Sequence, residues 1–366
     1  MSAAPGVPWY PLELTTPVRQ HVFGGRAIAD RLGRTGLPAG RVAETWEVSD
    51  VDGDIARVTD GPLAGRTLRE LHLEHPDELT GPGRRGPHFP LLTKFIDAHG
   101  ALPVHLHADD RTARRLENQP HGKTEAWHIL HAAPGATAYA GVRAGVGRDE
   151  LRRALLRQDF DAVLRRLPVR AGETVYVPGG TVHSFGPGTL VYEIEQTSDV
   201  QQHAMRHRME DGSPLSDDEW HTNVERLLEQ WDPAPRPRCL PGLALPAARG
   251  GTRTLLTAGP YFVLERWTVP AGEALRHSFT GALVVTVLDG PAELRYAGGA
   301  STVGRARTVL LPAALGEVEL TGPCSALVGR LPDDLDRDVR APLRAAGHPP
   351  EAVAALVASG PDSAAD

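Results

Sequence analysis

The sequence predicts a mainly β protein: two jelly-roll β-barrels with a small helical component. Two observations carry this expectation. Short apolar runs broken by Gly/Pro turns fill residues 89–196 and again 250–330, as expected for antiparallel sandwiches and barrels. Between them lies a Pro-rich stretch, 232–238, reading DPAPRPR. At 366 residues the chain is long enough for two cores. The expected organisation is an N-terminal domain over 1–231, a linker over 232–249 and a C-terminal domain over 250–332. A tail, 333–366, is expected to hold one helix over 350–359 and then a disordered polar end.

Taken in order, residues 44–49 (ETWEVS) alternate polar and apolar with period two and read as a strand. Residues 66–73 read as a short helix and 81–88 as a turn-rich loop. The strands that follow are LLTKFIDA, PVHLHA, TEAWHILHA, ATAYAGV, ETVYVP and TLVYEIEQ. One helical insertion is expected over 149–167, with Leu151, Leu155, Phe160, Val163 and Leu164 at helical spacing and Asp149 as its cap. A second amphipathic helix is expected over 217–231. Beyond the linker, strands recur at similar spacing, with Phe262, Leu264 and Trp267 reading as core or interface residues.

Composition narrows the function. A net charge of −7 with scattered acidic residues gives no nucleic-acid footprint. No run approaches the ~20 apolar residues of a membrane helix, and residues 1–20 lack a secretory pattern, so a cytoplasmic protein is expected. Cys239 and Cys324 lie far apart, and no disulfide is expected between them. Of the 39 basic side chains only Lys94 and Lys123 are lysines; the other 37 are arginines. In so Arg-rich a chain, a retained lysine marks a place where a compact ammonium is needed.

The chemistry-bearing pattern is His105-Leu106-His107, then Glu125, then Pro178-Gly179-Gly180-Thr181-Val182-His183. On a strand, residues i and i+2 share a face, so His105 and His107 project into one cavity. With 16 histidines in the chain an isolated H-x-H carries little weight; its order with Glu125 and the His183 corner carries more. Three imidazoles and a carboxylate suit one divalent metal, and Zn, Fe, Mn, Co and Ni all fit such donors. His121, His128 and His131 read as structural, His128 being out of phase with Glu125. In 250–330 His277 is the single histidine, and that domain reads as metal-free and structural.

The blocks FPLLTKFIDA (89–98), LPVHLHADD (102–110), GKTEAWHIL (122–130), AGETVYVPGGTVHSFGPG (171–188) and YEIEQTSD (192–199) resemble, in order, those of class I phosphomannose isomerases of the short bacterial subgroup. The resemblance implies two cupin barrels. It also implies a zinc-dependent aldose–ketose isomerase acting on a small-molecule substrate, a sugar phosphate, by proton transfer through an enediolate. The metal ligands carry over to His107, Glu125 and His183, with His105 in the place of a fourth. Lys123, Glu195 and His203 become candidate catalytic groups. For Lys94, a site role and a structural ion pair behind the barrel weigh equally. Exposed sheet edges are compatible with a homodimer.

The chain departs from the family around this site. The usual Ser-x-Gln-x-His-Pro reads Pro103-Val104-His105-Leu106-His107-Ala108, so a Gln ligand is replaced by His105 and a hydroxyl by Pro103. His203 stands where an arginine is expected, and Glu195 where Gln is usual. Arg206 and Arg208 are the nearest replacements for that arginine. A three-His, one-Glu set also raises an alternative: a divergent cupin metalloenzyme running another, oxygen-dependent reaction. A sugar-binding relative without catalysis is a third reading, opposed by the intact ligand set.

Overall fold

The computed structural model describes residues 6–246 and 249–358. Nine strands build the first β unit: β1 (Glu44–Val48), β2 (Leu91–Ala98), β3 (His105–Leu106), β4 (Glu125–Ala132), β5 (Thr137–Val142), β6 (Leu164–Pro168), β7 (Thr174–Val177), β8 (His183–Phe185) and β9 (Thr189–Gln196). Nine more build the second: β10 (Thr252–Ala258), β11 (Val263–Val269), β12 (Ala274–Ser278), β13 (Leu283–Asp289), β14 (Ala292–Tyr296), β15 (Gly299–Val303), β16 (Thr308–Leu311), β17 (Glu317–Thr321) and β18 (Cys324–Arg330).

Each unit is a jelly-roll sandwich of one large and one small antiparallel sheet. Within these sets the large sheets run β7-β4-β9-β2-β1 and β16-β13-β18-β11-β10, and the small ones β3-β8-β5-β6 and β12-β17-β14-β15; two-residue strands Val18–Arg19, Gln202–His203 and Leu243–Ala244 extend them beside β1, β3 and β10. Every strand of the first unit therefore has a counterpart nine strands later in the same place. The edges are exchanged. Leu12–Glu13 pairs with β16 of the second unit, whereas Cys239–Leu240, beyond the Pro-rich stretch, pairs with β7 of the first.

The large sheets lie back to back. Phe95, Tyr192 and Ile194 from one meet Leu264, Val284 and Leu327 from the other in a single apolar cluster. Gly329 permits a close approach: a Cβ there would stand 2.7 Å from Ile194 Cδ1. His128 faces this interface, as its phase predicts, with Nδ1 2.9 Å from Thr174 Oγ1 and Nε2 accepting from Arg266 at 2.8 Å. Burial pushes its imidazole down to about 3. The buried Arg34–Glu47 ion pair, 2.8 Å, also reaches across, with Arg34 donating to the Ala306 carbonyl.

In α1 (Leu68–Glu74), Thr67 and Glu70 form a reciprocal capping box. The expected insertion is shorter than its spacing implied. Here α2 spans Arg148–Arg157, begins at Gly147 rather than being capped by Asp149, and stops where Gln158 turns left-handed with φ 57°. One short turn follows, and Leu164 onward is strand β6, so the apolar spacing crosses a helix–strand boundary. The third helix, α3 (Asp217–Gln230), is capped by the Ser216 side chain. It packs Trp220, Val224 and Leu227 with Leu151 and Leu155 of α2 against Leu106.

In the tail, Ala341–Ala345 and Pro350–Leu356 are helical and cover one end of the second unit through Leu343, Val353 and Leu356. The expected disordered end, 359–366, lies outside the described residues. Both cysteines are free thiols. Among the described residues no helix is long and apolar enough to cross a membrane.

Candidate metal centre

Strand alternation builds the interior of the first unit. The register sets Trp46 opposite Lys94, Lys94 opposite Glu193, and Glu195 opposite Glu125. Glu44 and Trp46, Lys94 and Ile96, Glu193 and Glu195, and Glu125 and Trp127 therefore share one inner face. From the facing small sheet, His105 on β3 pairs in register with His183 on β8. His107 follows directly after β3. All of these side chains are buried.

The three imidazoles are fixed in one tautomer. Nδ1 of His105 lies 2.8 Å from the Pro103 carbonyl, Nδ1 of His107 3.0 Å from that of Val200, and Nδ1 of His183 2.8 Å from that of Thr181. A carbonyl only accepts, so each Nδ1 carries the proton and each Nε2 presents a lone pair. Ring nitrogens of the trio lie within 4.8 Å of one another. Glu125 completes the set, with Oε1 3.1 Å from His183 Nε2 and Oε2 3.4 Å from His107 Nε2. Its Oε1 also accepts the Trp127 indole N–H at 2.8 Å.

These donors fit a cation. Glu125 Oε2 and His183 Nε2 are buried without a hydrogen-bond partner. His183 Nε2, an acceptor, is aimed at the acceptor Glu125 Oε1, an arrangement that costs energy unless positive charge lies between them; on the other side of the carboxylate the Lys123 ammonium already stands 3.3 Å from Oε2. The wider cluster points the same way: Lys94 and Lys123 face five carboxylates, Glu44, Glu125, Glu193, Glu195 and Asp199. Burial, reinforced by neighbouring His183 for His105 and by Lys123 for His107, holds both imidazoles well below their usual value. They are neutral, as ligation requires. Burial raises the Glu125 carboxyl, but the charges of His183, when its ring is protonated, and of Lys123 outweigh it and hold the group well below the usual carboxylate range.

Lys123 stands beside the ligands. Its Nζ is 3.2 Å from His107 Nε2, 3.3 Å from Glu125 Oε2 and 2.8 Å from Glu195 Oε2. Burial alone lowers an ammonium, yet Glu195 and Glu125 together raise this one well above its ordinary value. Lys94 faces into the cavity rather than behind the barrel, 3.1 Å from Glu195 Oε1 and 4.3 Å above the Trp46 ring. Glu195 is thus gripped by both lysines of the chain. Burial and the Glu195 and Glu125 charges push the Glu193 carboxyl well above its usual range.

His203 is not gathered into this group. It pairs in register with His105 but is not among the imidazoles whose ring nitrogens converge, and burial lowers its imidazole amid charges from Glu210, His207 and Glu219. Arg206 and Arg208 are committed elsewhere, to Asp217 and Glu219 on α3. Glu44, Trp46 and Glu193 were missed as site residues, although the two-residue period from Glu195 reaches Glu193. His21, Gln201 and Met209 at the cavity wall carry no sequence signal.

Fold and interior together define a double cupin with a metal-fitting first barrel. No family model matches the chain. A mannose-6-phosphate isomerase of Streptococcus mutans is 31% identical over 76% of this chain and 85% of its own length. The mannose-6-phosphate isomerase ManA of Bacillus subtilis is 30% identical over 88% and 99%. Among solved structures, the mannose 6-phosphate isomerase of Bacillus subtilis superposes with a TM-score of 0.78 at 27% identity, over 88% of this chain and 99% of that one. A zinc-bound mannose 6-phosphate isomerase shares the fold with a TM-score of 0.67 at 14% identity, over 88% and 99%. The chain belongs to the mannose-6-phosphate isomerase family.

Proposed function

We propose that this protein is a metal-dependent aldose–ketose isomerase that interconverts mannose 6-phosphate and fructose 6-phosphate. One observation carries the reading: three backbone-anchored imidazoles and Glu125 converge beside the Lys123–Glu195 pair, in a chain of this family. His105, His107, His183 and Glu125 would hold one divalent ion, zinc first among Zn, Fe, Mn, Co and Ni. When bound, the ion would supply Lewis acidity to a sugar carbonyl. The Lys123 ammonium donates a hydrogen bond to the oxygen on which enediolate charge develops. The Lys123–Glu195 pair acts as the acid–base unit: Glu195 Oε2 takes the Nζ proton, the freed amine accepts the C2 proton of the sugar, and the re-formed ammonium gives it to C1 before Glu195 returns its own proton to Nζ. Lys94 holds Glu195 in place from its other oxygen. We assign this chemistry to the N-terminal domain, over 1–231, and a supporting role to the C-terminal one.

The oxygen-dependent alternative draws only on the three-His set, and the family relatives do not favour it. The deciding assay is mannose 6-phosphate to fructose 6-phosphate conversion by zinc-loaded protein under nitrogen, with His107→Ala as control. Turnover lost in the variant is the expected result. A folded, metal-replete protein without turnover overturns the reading.

A further inference from the structure

The second β unit has its own opening, a cleft of ≈ 580 Å³ at the end where β10, β12, β13 and β18 meet. Arg330 faces it with a largely buried side chain, 15% exposed. Its nearest carboxylate, Glu265, is already occupied. Arg253 grips both oxygens of Glu265 at 2.8 and 2.9 Å, and the Trp267 indole N–H adds a third bond at 2.8 Å. Arg330 is left at 3.5 Å from Oε1 and makes no hydrogen bond to any described residue. A guanidinium carries five donors, and those of Arg330 stay available to a ligand entering the cleft.

His277, the one histidine of this β unit, lines the same cleft against the edge of the Trp267 ring, and no described residue bonds to it. The acidic residues at the rim are committed: Asp333 to Arg84 and Thr280, Asp338 to Arg337. Phe279, Leu283 and Leu331 supply an apolar wall. A cation with unused donors, a neutral imidazole and an apolar wall around a roomy cleft match one ligand chemistry.

We propose that this cleft binds a small organic oxyanion, a carboxylate or a phosphate monoester, through Arg330 and His277, separately from the metal centre. The test is isothermal titration calorimetry on the full chain, with benzoate and phenyl phosphate as probes. Saturable binding of one probe molecule per chain is expected at this cleft, over and above any phenyl phosphate taken up by the sugar-phosphate site of the first barrel. It should weaken at least about tenfold in Arg330→Gln and in Ser278→Glu, a charge at the exposed rim that leaves the interior intact. It should be unchanged in Lys123→Met, which alters only the other barrel. Binding of one probe and not the other identifies the anion class. No saturable heat with either probe at millimolar concentration overturns the proposal, as does binding undiminished in a folded Arg330→Gln or Ser278→Glu protein.

Discussion

The two β units share nine strands in one order and differ in what those strands point inward. In the first, β3 and β8 bring His105 against His183, and β2 and β9 bring Lys94 against Glu193. On the corresponding strands of the second, the inward pairs are Leu275 with Leu320, His277 with Val318, and Glu265 with Val328. Trp267, Val285, Leu294 and Val328 fill the remaining space. One interior is an unbalanced cluster of charge; the other is an ordinary core with an Arg–Glu pair at its mouth. Topology is therefore silent on chemistry here, and the inward residues of equivalent strands decide it.

The largest test of that contrast is His107→Ala or His183→Ala. Either should remove most bound zinc, read by metal stoichiometry, and cut turnover by at least about a thousandfold. Full stoichiometry in both variants would sink the ligand assignment. Next is Trp267→Ala in the packed barrel. It should cost about 3–5 kcal/mol in chemical denaturation while leaving zinc content at the wild-type level; loss of metal instead would mean the units are not functionally separate.

Gly329→Val probes the contact between the large sheets. With Ile194 2.7 Å from the new Cβ, overpacking should cost about 1–3 kcal/mol, and a neutral result would mean the sheets can part there. The smallest effect concerns pH. Burial lowers His128 to about 3 and His277 to about 4, so between these values and the ordinary 6.5 the unfolded chain binds more protons. Stability is then complete above about pH 6.5 and falls as pH drops, by up to about 1.4 kcal/mol per unit for the fully buried His128. His128→Gln should flatten the slope seen in melting curves between pH 6.5 and 4; an unchanged slope would exonerate His128.

Much of this was legible in the sequence because alternation is a local signal. TLVYEIEQ and TEAWHILHA show their strands, and i, i+2 spacing delivers His105 and His107 to one face. The exchanged edges were not legible, since Leu12–Glu13 and Cys239–Leu240 are two residues each and take their strand character from partners far along the chain. The end of α2 was hidden because Leu151, Leu155, Phe160 and Val163 keep helical spacing across the left-handed Gln158. Lys94 was ambiguous for another reason: a strand pattern gives two faces without saying which holds the cavity. Arg206 and Arg208 show the same limit, because sequence position near a site does not fix where a side chain finds its partner.

The Glu-x-Trp pairs have an optical consequence. Trp46, Trp127 and Trp267 each donate their indole N–H at 2.8 Å to the carboxylate two residues before them, Glu44, Glu125 and Glu265. Emission from an indole follows the electric field across its ring, so each of these tryptophans reads the charge on its own glutamate. Trp127 lies 5.4 Å from His183 and reports on the first barrel's centre, whereas Trp267 reports on the mouth of the second. The chain thus carries a native fluorophore in each barrel, and single Trp→Phe replacements would let occupancy of either be followed by light without an added label.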